Sequence, residues 1–178
     1  MKRGFLIGFV LFLTLAVLTP VPALAAKPVP FSAVGTVYYI TPGTVTPAGD
    51  SGRFVVVERD IVGSLSGSIN GDFKFSYKAN VELATQSGNL HGTMQVGTNN
   101  NLNVNGKIQP LVFAGLSDDM PGNVVFKSTI DGHWNLLVGG DGSGKFSSDI
   151  LLIIDPITQH VVGFETGSSI NLTGQWQP

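Results

Sequence analysis

The run Asp72-Phe73-Lys74-Phe75-Ser76-Tyr77-Lys78-Ala79-Asn80-Val81-Glu82-Leu83 alternates without a break. Phe73, Phe75, Tyr77, Ala79, Val81 and Leu83 fall on one side of an extended chain, and Asp72, Lys74, Ser76, Lys78, Asn80 and Glu82 on the other. Successive side chains of a β-strand point to opposite faces, so this period of two predicts a strand with one face buried and one in water. A slip of one residue would turn the whole aromatic row into solvent, which pins the register.

The same pattern extends in both directions. Thr85-Gln86-Ser87-Gly88-Asn89 is turn chemistry, and beyond it Leu90, Gly92, Met94 and Val96 alternate with His91, Thr93 and Gln95, which predicts a hairpin. A third strand places Leu102, Val104 and Ile108 opposite Asn103, Asn105 and Lys107 and ends before Pro110. Further strands are expected at Phe31 to Ile40, Arg53 to Ile61, Val124 to Ile130, His133 to Val138, Lys145 to Ile154, His160 to Glu165 and Ser168 to Trp176. Asp131-Gly132 reads as a hairpin turn suited to positive φ, and Gly139 to Gly144 as a break. Lys74-Phe75-Ser76 recurs as Lys145-Phe146-Ser147, 71 residues on (145 − 74), which suggests a faint duplication of a three-strand meander.

Only 12% of the 178 residues are charged, about half of the roughly 25% usual in soluble domains, while 43% are hydrophobic and 23 are Gly. That composition excludes a disordered chain, which needs low hydrophobicity and high net charge. A chain with so few Lys and Glu has little with which to guard open sheet edges, and closure removes the edges altogether. The expected fold is therefore an all-β, antiparallel, Gly-rich, calycin-like β-barrel of about 8–10 strands, with a two-sheet β-sandwich as the alternative. At the level of architecture this expectation resembles the calycin, streptavidin and allene-oxide-cyclase or dirigent-type barrels, and no residue signature of those families can be laid on the chain.

Residues 1–26 read differently. Lys2 and Arg3 precede an apolar run from Phe5 to Leu18, then Thr19-Pro20-Val21-Pro22 and the small residues Ala23-Leu24-Ala25-Ala26. This is the pattern of a helical secretory signal peptide, with an apolar run shorter than the ~20 residues that span a bilayer. Residues 27–178 are then a single secreted all-β domain with no stable membrane span after cleavage, entered through Lys27-Pro28-Val29-Pro30 as a linker. Removing Lys2 and Arg3 leaves 8 basic against 12 acidic residues, a formal charge of 8 − 12 = −4, and the remaining lysines are scattered singly. No nucleic-acid partner is expected. The absence of Cys means that an exported domain must hold together by its core alone.

Catalytic motifs are missing. Gly63-Ser64-Leu65-Ser66-Gly67 has Leu in the centre, where a hydrolase elbow has its nucleophilic serine, and His91, His133 and His160 are too far apart for a helical zinc site, so no metal and no cofactor are expected. Asp118-Asp119 and Asp141-Gly142-Ser143-Gly144 read as turn formers rather than calcium loops. Two constellations remain. In Arg53 to Ile61 both faces are apolar through Val57, so either Arg59 or the pair Glu58 and Asp60 must face inward unless the strand leaves the core there. With Tyr77, these three are the catalytic candidates of a barrel-type cyclase or isomerase acting on an apolar substrate. The aromatic residues Tyr38, Phe73, Phe75, Tyr77, Trp134 and Trp176 are the candidate lining of a ligand-binding interior, Tyr38 and its neighbour Tyr39 being adjacent so that one must face outward. The function expected is a secreted, non-enzymatic barrel that binds a small apolar ligand or acts as an extracellular or cell-surface component, with self-association into a surface assembly or fibre as a further alternative.

Overall fold

The aromatic row that begins at Phe73 faces inward: Phe73 and Phe75 are 1% and 0% exposed. A computed structural model of the protein describes residues 27–137 and 141–177, and the leader expected at 1–26 lies outside them. Eleven strands run through the described residues: β1 (Val29–Ile40), β2 (Thr44–Ala48), β3 (Phe54–Gly67), β4 (Gly71–Glu82), β5 (Ser87–Val96), β6 (Asn100–Ile108), β7 (Val112–Leu116), β8 (Val124–Leu136), β9 (Asp141–Ile154), β10 (Val161–Phe164) and β11 (Ser169–Gln177). Eight of them pair in the antiparallel ring β9-β11-β1-β3-β4-β5-β6-β8, and the β8–β9 pairing closes it. The fold is a closed barrel, and the sandwich alternative falls because the hydrogen-bonded ladder runs unbroken round the ring.

Register fixes the shape of that ring. Starting at Val57, the partners run Ala79, Leu90, Gly106, Gly132, Phe146, Leu172, Ala33 and back to β3 at Gly67, ten residues further along (67 − 57). Such a stagger forces a steep strand tilt, in the roughly 35–45° range, and an eight-strand ring is then just wide enough for side chains to fill. Each of these rows combines bulky residues with a pair of adjacent glycines. In the row Val104, Trp134, Gly144, Gly174, Phe31, the two glycines separate the aromatic residues, and the Trp134 ring itself packs on Gly142, where a Cβ would lie 3.3 Å from it. A Cβ at Gly144 would lie 1.9 Å from the Thr173 carbonyl oxygen, so the strands approach there as only glycine allows. Inward rows are apolar and outward rows polar, the reverse of the pattern by which a barrel faces lipid.

With β1 running upward, the lower rim has the short turns at 68–70 and 97–99, and the upper rim carries the additions. β2 extends the ring above β1 and pairs with β3, β7 extends it above β6 and pairs with β8, and β10 extends it above β11 and pairs with β9. A small second cluster forms outside the barrel under these additions, where Val125 and Ile153 are 4% and 1% exposed. The loop over it is held by Glu165, whose carboxylate accepts from the Ser117 hydroxyl at 2.6 Å and from the Asp118 and Asp119 amides at 2.9 and 3.0 Å.

Four local expectations are corrected. Asp131-Gly132 is no turn: Asp131 pairs with Lys107 and Ser147, and Gly132 with Gly106 and Phe146, in the middle of β8. An Asp-Gly pair suits positive φ, but Gly132 is needed for proximity, since a Cβ there would stand 2.1 Å from the Asn105 carbonyl oxygen. The break expected up to Gly144 ends earlier, because Gly142 and Gly144 already belong to β9. Val29 and Pro30 belong to β1, paired with Trp176 and Gln175, rather than to a linker. The duplication fails at its middle strand, for β10 has four residues and lies outside the ring.

Candidate functional site

Where Phe31 enters β1, the β3–β4 turn crosses and β8 and β11 end, the lower mouth forms a recess of about 310 Å³. Phe31, Ser68, Ile69, Asn70, Asn100, Leu102, Trp134, Leu136 and Trp176 line it, and none is charged. Alternation explains the aromatic side: Phe31, Trp134 and Trp176 all occupy inward positions on strands that converge at this rim. Phe31 and Trp134 lie against each other with ring centroids 4.7 Å apart.

The polar groups around the recess divide into engaged and free. Trp134 Nε1 donates to the Thr173 carbonyl at 3.1 Å. The Asn70 amide is spent on its own turn, accepting from the Gly67 amide at 3.0 Å and donating to the Gly67 carbonyl at 3.1 Å. Ser68 Oγ accepts from the Ser32 amide at 2.9 Å. Trp176 Nε1, by contrast, is buried and finds no acceptor among the described residues. A buried donor without a partner is uncommon in folded proteins and calls for an explanation.

The other sequence candidates are distributed as follows. β3 does not leave the core at Glu58; it continues through buried Ile61 and Leu65. Alternation therefore sends Glu58 and Asp60 to the outer wall, where Glu58 pairs with Lys78 at 2.7 Å and Asp60 with Lys74 at 2.8 Å. The hydrogen bond from Lys74 holds the Asp60 carboxyl below its usual range. Arg59 faces inward near the upper mouth, its Nε donating to the Pro42 carbonyl at 3.2 Å. Tyr77 is register-paired with it, and burial pushes the phenol above its ordinary range while the Arg59 charge opposes that rise. Of the four catalytic candidates, only Arg59 and Tyr77 point inward, while all four border one open recess of about 540 Å³.

Among the aromatic candidates, Phe73 and Phe75 are sealed in the core, where Phe75 packs against Phe146 at 5.5 Å and Tyr77 at 5.4 Å. Trp134 and Trp176 reach the lower recess. Tyr38 does not face the interior: a register shift between Val37 and Tyr39 turns both tyrosines outward, 65% and 57% exposed, and Tyr38 meets Ser64 on the outer wall. The expectation that one of two adjacent tyrosines faces inward holds only for an unbroken strand, and the bulge removes it. His91, His133 and His160 are exposed, and no group of three metal-ligating side chains occurs among the described residues.

Sequence reasoning missed Phe31, Ser68, Ile69, Asn70, Asn100, Leu102 and Leu136 as lining. They lie in four separate stretches of the chain, and only closure at this register brings them to one rim. The usable signal was the inward parity of Trp176 near the end of the last strand.

No family model, curated protein or solved structure matches the chain, so the functional reading rests on its own residues.

Proposed function

We propose that this protein is an exported, non-enzymatic barrel that binds a small apolar ligand at its lower mouth. The observation that carries the reading is an uncharged, aromatic-lined recess of about 310 Å³, at the lower end of the roughly 300–1,000 Å³ of small-molecule sites. Export is inferred from the leader-like residues 1–26. The non-enzymatic reading is supported by the outer-wall ion pairs of Glu58 with Lys78 and Asp60 with Lys74, which leave neither carboxylate desolvated for proton transfer. Titrating the purified protein with a naphthalene-type fluorescent probe tests the site. Ile69→Trp, which fills the recess, is expected to weaken binding about tenfold or more, and unchanged binding by that variant would refute the placement.

A second reading, self-association, is favoured by one feature. β2, β7 and β10 each pair on one side only, and Thr-Val-Thr-Pro-Ala, Val-Phe-Ala-Gly-Leu and Val-Val-Gly-Phe contain no charged residue to guard the free edge. On β7, Val112, Phe113 and Leu116 are 57%, 59% and 77% exposed. Light scattering across the micromolar range tests it, a monomer throughout ruling it out.

A further inference from the structure

We propose that the outer wall carries a site for an anionic saccharide, a sugar chain bearing carboxylates, separate from the lower mouth. The register sets two outward rows side by side across β5, β6, β8, β9 and β11. One runs Asn89, Lys107, Asp131, Ser147, Asn171 and the other His91, Asn105, His133, Lys145, Thr173. Every position in both rows is polar, and all but His91 border a recess of about 730 Å³. Five strands at the usual spacing make this face about 19 Å wide.

These side chains are uncommitted. One row higher on the same strands, Thr129 and Lys127 both engage Asp149, and on β3 and β4 Glu58 and Asp60 hold Lys78 and Lys74. Lys107 stands directly across the ladder from Asp131, yet the ion pairs among the described residues all lie elsewhere. Lys107 and Lys145 are 38 residues apart (145 − 107), and the order β6-β8-β9 brings them to one face.

The chemistry of the lining selects the ligand. Carboxamides and hydroxyls both donate and accept, as the hydroxyls of a sugar do. Two lysines against the one carboxylate of Asp131 answer negative charge, on a chain whose formal charge is −2. Phe146 is the one large apolar residue in the lining and belongs to the core, 1% exposed, so the recess offers no face on which a neutral sugar ring or an apolar peptide can stack. Recognition therefore runs through charge and hydrogen bonds together. Asp131 accepts from sugar hydroxyls but repels a polyanion that has none.

Calorimetry on the purified protein with three probes tests this: oligogalacturonate; its methyl ester, which keeps the ring hydroxyls and loses the charge; and polyglutamate, which keeps the charge and has no hydroxyls. Oligogalacturonate is expected to bind about fivefold or more tighter than either, with an advantage over the ester that shrinks as salt is raised. Lys107→Gln combined with Lys145→Gln is expected to bring oligogalacturonate to the level of its ester while leaving Tm within about 2 °C, since both side chains are exposed. Asn105→Ala combined with Asn171→Ala is expected to weaken acid and ester alike. In the unsubstituted protein, the amide resonances of Asn105, Lys107, His133 and Lys145 are expected to move with oligogalacturonate while those of Phe31 and Ile69 stay in place; this readout decides the matter if a variant does not fold. Polyglutamate binding as tightly as oligogalacturonate, an ester that binds equally well, or no binding of oligogalacturonate each overturns the proposal. The naphthalene probe reads the lower mouth separately, so none of these outcomes alters that reading.

Discussion

A methyl group at Gly144 is expected to cost the barrel more than almost any other single-carbon change. The added Cβ would lie 1.9 Å from the Thr173 carbonyl oxygen, 2.6 Å from Gly174 Cα and 2.7 Å from the Thr173 carbonyl carbon, all of them backbone atoms of β11. Ordinary contact begins near 3.4 Å, so β11 would have to retreat by 3.4 − 1.9 = 1.5 Å. It cannot do so freely, because it is laddered to β9 on one side and β1 on the other and Thr173 also accepts the Trp134 indole bond. Overpacking of this kind costs about 1–3 kcal/mol and the lost hydrogen bond about 1 kcal/mol, so Gly144→Ala is expected to destabilise by about 2–4 kcal/mol. For a domain of this size, each kcal/mol lowers Tm by about 2–4 °C, which places the loss at roughly 4–16 °C. Gly97→Ala is the control: its φ is +57° but nothing lies within 4 Å, so only the left-handed backbone penalty of about 1 kcal/mol applies. Urea unfolding of both variants, with m values compared, gives the two numbers. A Gly144→Ala cost no greater than that of Gly97→Ala would refute the close strand approach on which the barrel's curvature depends.

Other consequences follow from individual contacts. Because burial raises the Tyr77 pKa, the stability this phenol contributes is intact below its ordinary 10.0 and is lost as pH rises through the higher folded value; thermal melts of Tyr77→Phe are expected to lack that alkaline loss. Asp60 works in the opposite sense, since its lowered pKa gives stability present above 3.8 and lost as pH falls through the folded value, and Lys74→Gln is expected to remove less than about 1 kcal/mol because the pair is half-exposed. Glu165→Ala strips three hydrogen bonds from residues 117–119 and is expected to raise amide hydrogen exchange at Asp118 and Asp119 while leaving the protected amides of β4 unchanged. If β7 mediates self-association, Phe113→Lys is expected to convert the associated form to monomer in light scattering without lowering Tm by more than about 2 °C, as suits an exposed site.

The strands were legible where one face is apolar and the other polar, as in β4, β5 and β11, because period-two patterning records burial directly. It was misleading where a glycine does a job other than turning. Gly132 and Gly144 sit inside strands to let a neighbouring backbone approach, and from the sequence alone that demand looks the same as the demand for positive φ. The bulge at Tyr38 left no mark on the pattern, since both tyrosines are as compatible with an interior as with an outer wall. In the candidate site, Trp134 and Trp176 were legible as inward aromatics, but their partners were not. Phe31, Ile69 and Asn100 meet them through the ten-residue stagger of the ring, a global quantity that no local stretch encodes.

The central claim, that the lower mouth is the binding site, is tested most directly by mapping backbone amide and indole N–H resonances while a naphthalene-type probe is added. The account predicts that the largest shifts fall on Phe31, Ile69, Asn70, Asn100, Leu102 and the Trp176 indole, the residues that line that recess. Shifts centred instead on Arg59 and Tyr77 at the upper mouth, or none at all, would contradict it.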